Sequence, residues 1–165
     1  MQAQGLDDDR IVFGKFVPTA QENWHRLQAG THLVLDTSTY GAHTGAVDAL
    51  WAGLPLLTCV DECITAPHEA ADADQMAARI GASLLTAAGL EKELVAHSLD
   101  DYKAKAIALA TNASKYAEVR ASVERARTHT GALQSQQKAL ELSKGLNALW
   151  QHAMAGLPPQ HIYVA

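Results

Sequence analysis

The sequence is short of the features that mark several classes of protein. Only two of its 165 residues are cysteine, Cys59 and Cys63, and aromatic residues make up 5%. Two cysteines are too few for a disulfide scaffold, and no second Cys/His pair lies at zinc spacing, so we expect two reduced thiols. No apolar run approaches the roughly 20 residues that span a membrane. The polar first ten residues lack the apolar core of an export signal.

Positive charge is also scarce. Lys and Arg number 13 against 18 Asp and Glu, which gives a net charge of −5. We therefore expect no nucleic-acid partner, because phosphate backbones are bound by clustered Lys and Arg. A small anionic ligand is still compatible with this charge, since the backbone N–H groups at a helix N-terminus bind phosphate with little formal charge.

The first part of the chain alternates short apolar runs with helical segments. We expect buried strands at residues 11–13, 33–35 and 56–60, and helices at residues 21–29 and 43–51. Gly53 and Pro55 stop the second helix. The order strand, helix, strand, helix, strand is typical of a parallel sheet covered by helices.

The second part of the chain is predicted to be helical. We expect helices at residues 76–88, after a cap at Ser98, and from Asn112 to about Arg127. A final amphipathic helix carries Leu142, Leu146, Leu149 and Trp150 on one face. In this division, residues 1–10 are a disordered or truncated start, residues 11–155 form one domain, and residues 156–165 form a tail.

The chemistry is concentrated in residues 35–55, where a buried strand ends, a loop of small residues turns and a helix begins near Thr44. In open α/β sheets, ligands bind beyond the carboxyl ends of the strands. Here unpaired N–H groups lie at the positive end of a helix, and Gly45 leaves the backbone open to an anion. His43 and Thr44 add hydrogen-bond donors, and the Asp48 carboxylate suits ribose hydroxyls.

A structural interpretation competes with this one. Strand–loop–helix units with small residues are common, and Thr44 alone accounts for a helix start without any ligand. Composition and spacing leave both interpretations open.

Residues 35–55 resemble the signature of the protein O-GlcNAc transferases and the related plant SPINDLY-type enzymes. That signature reads approximately L-D-T-x-x-Y-N-x-H-T-T-x-x-D-A-L-W-A-G-x-P-V-x-T. The matching positions are Leu35, Asp36, Thr37, Tyr40, His43, Thr44, Asp48, Leu50, Trp51, Ala52, Gly53, Pro55 and Thr58. The likeness continues at residues 78–85, 89–102 and 149–152, so it covers roughly Arg10 to the C-terminus.

The resemblance implies a GT-B fold, in which two Rossmann-like domains face each other across a cleft. This chain would be the C-terminal half: a Rossmann-like α/β unit with a parallel sheet and flanking helices, followed by C-terminal helices. The implied reaction is inverting transfer of N-acetylglucosamine from UDP-GlcNAc to Ser or Thr of proteins, with no metal ion and no other cofactor. His43, Thr44 and Gly45 would contact the diphosphate and sugar region, and Asp48 would bind the ribose.

The same resemblance implies that the isolated chain is incomplete. The catalytic residues would lie in an N-terminal catalytic half, and protein acceptors would bind regions that are absent here. The location would be cytoplasmic or nuclear.

The chain departs from the family pattern at several places, among them Gly41 for Asn, and two further departures bear on the predicted site. Gly45 stands where the family has the second Thr of its H-T-T string, so one hydroxyl contact to the phosphates is lost. The family also carries a His before the second strand, with a Lys three residues earlier. Anchoring on Arg26 puts Asn23 in the His position and Ala20 in the Lys position, so Asn23 joins the predicted nucleotide-sugar site.

These departures keep an alternative open, namely a non-catalytic nucleotide-sugar-binding or structural module derived from such an enzyme. The SPINDLY-type relatives transfer fucose from a GDP donor, so the base and the sugar of the donor also remain open.

Overall fold

The structure is a computed structural model that describes residues 10–37, 40–63, 76–129 and 133–164. The predicted start at residues 1–10 therefore falls almost wholly outside the described residues. The elements in chain order are α1 Ala20–Gly30, β1 Val34–Leu35, α2 Thr44–Trp51, β2 Leu56–Cys59, a 3₁₀ turn Asp61–Cys63, α3 Met76–Ala87, α4 Glu91–Leu94, β3 Val95–Ala96, α5 Leu99–Thr111, α6 Ala113–His129 and α7 Ser135–Met154.

The three strands form one parallel sheet in the order β1-β2-β3. Val34 pairs with Leu56, and Thr58 pairs with Val95. All four residues of the central strand β2 are buried. A parallel sheet flanked by helices is the predicted α/β fold class, which is confirmed.

The prediction of a first strand at residues 11–13 is wrong. The side chains of Val12 and Phe13 are 86% and 88% exposed, and these residues form no strand. The second neighbour of β2 is instead β3, a two-residue strand that the sequence does not distinguish from the helical residues before it. A short apolar run does not by itself specify a strand, because pairing with a distant partner decides.

The predicted helices are present, and two of the predicted caps, Ser98 and Asn112, are confirmed, whereas the N-cap of α2 is His43 and not Thr44. The Ser98 hydroxyl accepts a hydrogen bond from the Asp101 amide at 3.2 Å, and the Asn112 side chain accepts one from the Lys115 amide at 3.0 Å. α2 ends at Trp51, and Gly53, two residues further on, has a φ of +74° that suits glycine; Pro55 follows. The Ser98 and Asn112 caps each satisfy an amide that the first turn of a helix leaves unpaired.

The hydrophobic core lies around β2. Leu56 and Leu57 are fully buried, and so are Leu85 of α3 and Leu94 of α4. The helices α5 and α6 close the core with Leu109, Val119 and Val123. This core holds the carboxyl ends of the strands in a fixed position relative to the start of α2.

The expectation of two reduced thiols is contradicted. Cys59 and Cys63 form a disulfide, with their Cα atoms 5.8 Å apart. The 3₁₀ turn after β2 brings the two residues within the separation that a disulfide requires. Counting cysteines excludes a scaffold of several bridges but does not exclude one local bridge.

The last helix leaves its apolar face uncovered. Leu142, Leu146, Leu149 and Trp150 are 64%, 57%, 52% and 66% exposed, and no residue of α7 is buried. Residues 156–164 fold back against α7, where His152 Nε2 is 2.6 Å from the Pro158 carbonyl oxygen. We name the exposed residues Leu142, Leu146, Leu149 and Trp150 the α7 stripe. None of the helices in the described ranges combines the length and apolarity needed to cross a bilayer.

Two leucine substitutions test this distribution of the core. We expect Leu56→Ala to lower the free energy of unfolding by about 2–5 kcal/mol, because it leaves a cavity at a fully buried position. We expect Leu146→Ala, the matched control on the α7 stripe, to change it by no more than about 0.5 kcal/mol. Urea denaturation of both variants measures the difference. Similar losses for the two leucines would show that α7 is packed in solution.

Candidate functional site

Polar residues follow each strand at the carboxyl edge of the sheet. Asp36 comes directly after β1, Asp61 lies just beyond β2, and His97 comes directly after β3. The loop between Asp36 and α2 crosses the same edge. Since ligands of open α/β folds bind at this edge, it is the part of the molecule where a site is expected.

The Asp36 carboxylate holds the loop closed. Its Oδ1 accepts hydrogen bonds from the amides of Thr37 at 2.8 Å and Ala42 at 2.6 Å, and its Oδ2 accepts one from the Thr58 hydroxyl at 2.8 Å. Thr58 lies on β2 and is 1% exposed. One side chain therefore fastens both ends of the loop to the central strand.

Two glycines make room for this carboxylate. A Cβ on Gly81 would lie 2.8 Å from Asp36 Oδ2, and one on Gly41 would lie 3.3 Å from the same oxygen. The Gly41 amide donates to the Ala77 carbonyl at 3.0 Å, which ties the loop to the first turn of α3. Loop, sheet and α3 are thus held together at one point.

Tyr102 supports the same residue from α5. Its hydroxyl donates to the Asp36 carbonyl oxygen at 2.9 Å. Burial raises the pKa of the Tyr102 phenol above the usual 10.0, and the negative charge of Asp36 raises it further. The phenol is therefore protonated, and able to donate, throughout the neutral pH range.

His43 precedes α2 and stacks on Tyr40, with ring centroids 4.7 Å apart. Its Nε2 lies 2.9 Å from the Ala77 carbonyl oxygen. A carbonyl only accepts, so Nε2 carries the proton, and in the neutral ring Nδ1 is an acceptor. His43 can therefore donate to a phosphate through Nδ1 only as imidazolium, which is a condition that the sequence does not reveal.

The first turn of α2 presents open backbone. Thr44 and Gly45 are exposed, and their amides have no hydrogen-bond partner within the described residues. A Cβ on Gly45 would meet only the Ala42 Cβ, at 3.9 Å. The positive end of the helix dipole and two unpaired donors coincide here, which is the arrangement that binds anions.

Asp48 lies one turn further along α2 and joins it to α1. Its Oδ2 accepts from the Asn23 amide at 3.0 Å, and its Oδ1 accepts from the Trp24 indole at 2.8 Å. The Asn23 carbonyl oxygen accepts in turn from Arg26 at 2.6 Å. Two residues predicted separately from the sequence, Asn23 and Asp48, are therefore in direct contact.

A cleft of about 350 Å³ opens beside this network. Its walls are Asn23, Arg26 and Asp48 together with the segment 16–20 that leads into α1. Phe16 is 91% exposed. The cleft is thus lined by polar groups on one side and by an open apolar side chain on the other.

The structure divides the five predicted site residues into two neighbouring groups. His43, Thr44 and Gly45 form the start of α2, and Asn23 and Asp48 form the wall of the cleft. Sequence reasoning missed the structural parts played by Trp24, Arg26 and Asp36. The position of Asp36 at the end of a strand and before a small-residue loop was the available signal. Within the described ranges, no three His, Cys, Asp or Glu side chains converge as a metal site would require.

Comparison with known proteins gives consistent similarities. The model of Glycosyl transferase family 41 matches residues 1–142. The chain is 30% identical over 163 residues to the probable UDP-N-acetylglucosamine–peptide N-acetylglucosaminyltransferase SEC of Arabidopsis thaliana, which covers 98% of this chain and 15% of that protein. It is 33% identical over 159 residues to the UDP-N-acetylglucosamine–peptide N-acetylglucosaminyltransferase of Caenorhabditis elegans, which covers 96% of this chain and 12% of that protein.

A solved structure shows the same fold. A mutant of the O-GlcNAc transferase of Thermobaculum terrenum superposes with a TM-score of 0.73 at 24% identity, over 92% of this chain and 26% of that chain. The chain thus spans a small part of the length of the proteins that it matches. Since the family model covers most of the residues, the chain belongs to glycosyltransferase family 41.

Proposed function

We propose that this chain is the donor-binding half of a glycosyltransferase that moves N-acetylglucosamine from UDP-GlcNAc to Ser and Thr hydroxyls of proteins. The observation that carries the proposal is the pair of unpaired amides at Thr44 and Gly45, beside the cleft that Asn23 and Asp48 line. Family membership and the names of the relatives agree with it.

The diphosphate would lie against the start of α2. There its oxygens would accept hydrogen bonds from the amides of Thr44 and Gly45, from the Thr44 hydroxyl and from the Nδ1–H of a protonated His43. Donors that are already in position stabilise the charge that develops on a departing UDP without rearrangement. Binding of this kind supplies no nucleophile and requires no metal, in keeping with the inverting, metal-independent transfer that we propose.

The nucleoside would occupy the cleft. Each oxygen of the Asp48 carboxylate already accepts one hydrogen bond, from Asn23 or Trp24. A carboxylate oxygen has a second acceptor position, so Asp48 can also receive a ribose hydroxyl. The network from Arg26 through Asn23 holds the carboxylate in one orientation for that contact.

Turnover would require a second domain. We propose that an N-terminal catalytic half covers the α7 stripe and supplies the catalytic residues, with protein acceptors bound outside this chain. Contiguous exposed apolar side chains often mark a surface that another protein covers. A cytoplasmic or nuclear location remains part of the proposal, and there the Cys59–Cys63 bond would meet a reducing environment.

A second candidate function is a nucleotide-sugar-binding module without turnover. Gly45 favours it, because the family's second threonine hydroxyl is missing at the phosphate position. Assaying peptide glycosylation by the chain together with an N-terminal catalytic half separates the two. Transfer supports the enzyme, and UDP binding without transfer supports the module.

Two variants test the donor site through UDP affinity. We expect Thr44→Ala and Asp48→Asn each to weaken UDP binding roughly 10-fold or more, because a hydrogen bond to a charged group contributes about 1.5–3 kcal/mol. Titration calorimetry measures the dissociation constants. Thr86→Ala is the matched control, since this exposed threonine lies about 14 Å along α3 from Ala77, by the rise of the helix.

Thermal unfolding of the same variants shows whether a weaker UDP affinity comes from a lost contact or from a lost fold. The Thr44 side chain makes no hydrogen bond within the described residues. We therefore expect the Thr44→Ala variant to have the same melting temperature as the parent chain. Unchanged UDP affinity in both site variants would show that the site is assigned to the wrong residues.

A third variant adds the missing hydroxyl. We expect Gly45→Thr to strengthen UDP binding by several-fold, since the added Cβ meets only the Ala42 Cβ, at 3.9 Å, and one more donor reaches the phosphates. Gly45→Ala is its control, because it changes helix propensity and bulk without adding a hydroxyl. Equal affinities for the Thr and Ala variants would contradict a phosphate at this position.

A further inference from the structure

The cleft beside α1 has an aromatic side chain that the fold leaves open. Phe16 is 91% exposed, and it is the one aromatic residue among the described residues that line this cleft. Trp24 is already engaged, because its indole donates to Asp48 Oδ1 at 2.8 Å and its ring lies against Trp51 with the centroids 5.9 Å apart. Packing within the fold therefore accounts for the tryptophan ring and does not account for the phenylalanine ring.

The backbone that carries Phe16 is tied to the polar wall of the cleft. The Arg26 guanidinium donates to the Lys15 carbonyl oxygen, one residue before Phe16, and to the Asn23 side-chain oxygen at 2.6 Å. The Asn23 amide donates in turn to Asp48 Oδ2 at 3.0 Å. The segment that bears the ring and the Asp48 carboxylate are therefore linked through two side chains, so they belong to one hydrogen-bonded framework around the cleft.

An open ring and a carboxylate together suit the two parts of a nucleoside. A carboxylate accepts hydrogen bonds from ribose hydroxyls. An aromatic ring stacks on the flat face of a nucleobase, a contact that every base can make. The cleft volume of about 350 Å³ lies at the lower end of the range of about 300–1,000 Å³ that is usual for ligand pockets, which suits one nucleoside rather than a whole nucleotide sugar.

We propose that the Phe16 ring stacks on the base of the donor nucleotide. The inference rests on the proposed function, because it requires the diphosphate at the start of α2 and the ribose at Asp48. Stacking uses the π-face of the base, so Phe16 raises the affinity for a nucleotide over a bare diphosphate without selecting uracil or guanine. Phe16 is thus a binding residue for the nucleoside, separate from the donors that hold the phosphates.

The test compares UDP with inorganic pyrophosphate on the whole chain, with binding followed by NMR through the amides of Thr44 and Gly45. We expect Phe16→Ala to weaken UDP binding about 10-fold and pyrophosphate binding less than about 2-fold, because only UDP carries a base. GDP binding should weaken by a similar factor to UDP binding. Phe13→Ala is the matched control and should bind UDP as the parent chain does, since Phe13 is 88% exposed on the same segment but does not line the cleft.

A second measurement detects the stack itself. In the complex with the parent chain, the H5 and H6 protons of the uracil should shift upfield, because they lie over the face of an aromatic ring. Phe16→Tyr should keep this shift and the UDP affinity of the parent, whereas Phe16→Leu, which keeps an apolar side chain, should lose the shift. The melting temperatures of all the variants should equal that of the parent chain, because substitutions at exposed positions have little effect on stability.

The outcomes separate this inference from the proposed function. Equal losses for UDP and pyrophosphate, unchanged UDP affinity in Phe16→Ala, or no upfield shift in the parent complex would each overturn the stack while the UDP site stands. If the parent chain binds neither UDP nor GDP, the proposed function falls and this inference falls with it. Loss of nucleotide affinity and of the upfield shift, with pyrophosphate binding retained, is the result that the inference predicts.

Discussion

The arrangement of the site depends on one carboxylate, that of Asp36. It accepts hydrogen bonds from two amides of the loop that follows β1 and from one hydroxyl of the central strand, so it links the two ends of the loop to each other and to the sheet. Gly41 and Gly81 are small where a Cβ would meet this carboxylate. The position of the first turn of α2, and hence of any anion bound there, follows from this anchor. The Asp36 carboxylate is partly buried and accepts three hydrogen bonds, so a substitution that removes it leaves several donors without their partner.

The proposed site would bind negative charge with dipoles rather than with formal charges. The chain carries a net charge of −5, and the candidate phosphate position is formed by two amides, a hydroxyl and an imidazole. Arg26, the cationic group in the cleft, is bonded to Asn23 and to the Lys15 carbonyl and orients Asp48 rather than facing the start of α2. Helix dipoles act over about one turn, so selectivity for a diphosphate comes from exact placement of donors. Asp36 and the Ala77 carbonyl determine that placement, because they hold the loop and His43.

Local signals allowed much of the fold to be predicted, and distant pairing accounts for the errors in the strands. Gly53 and Pro55 end α2, and Ser98 and Asn112 cap their helices, because each acts within a few residues. The strand expected at residues 11–13 and the overlooked β3 depend instead on which segment reaches β2, a contact across tens of residues. The site divides in the same way. The segment 43–48 is readable as a motif, whereas the anchoring of Asp36 requires Thr58, Gly81 and Tyr102, which only the folded chain brings together.

The exposed surfaces of the chain limit the chemistry that it could perform without a second domain. Thr44, Gly45 and His97 face solvent, and the cleft is open beside Phe16, so a donor bound here would remain largely hydrated. Preorganised dipoles stabilise a departing diphosphate far more strongly once water is excluded, because the local dielectric constant falls. A facing domain would exclude that water and supply the acceptor hydroxyl with its base. The α7 stripe is an apolar surface of the kind such a domain would cover, and the relatives that the chain matches are several times longer than it is. Under the proposed function, donor binding would therefore belong to this chain alone, while transfer would require the surface that closes over it.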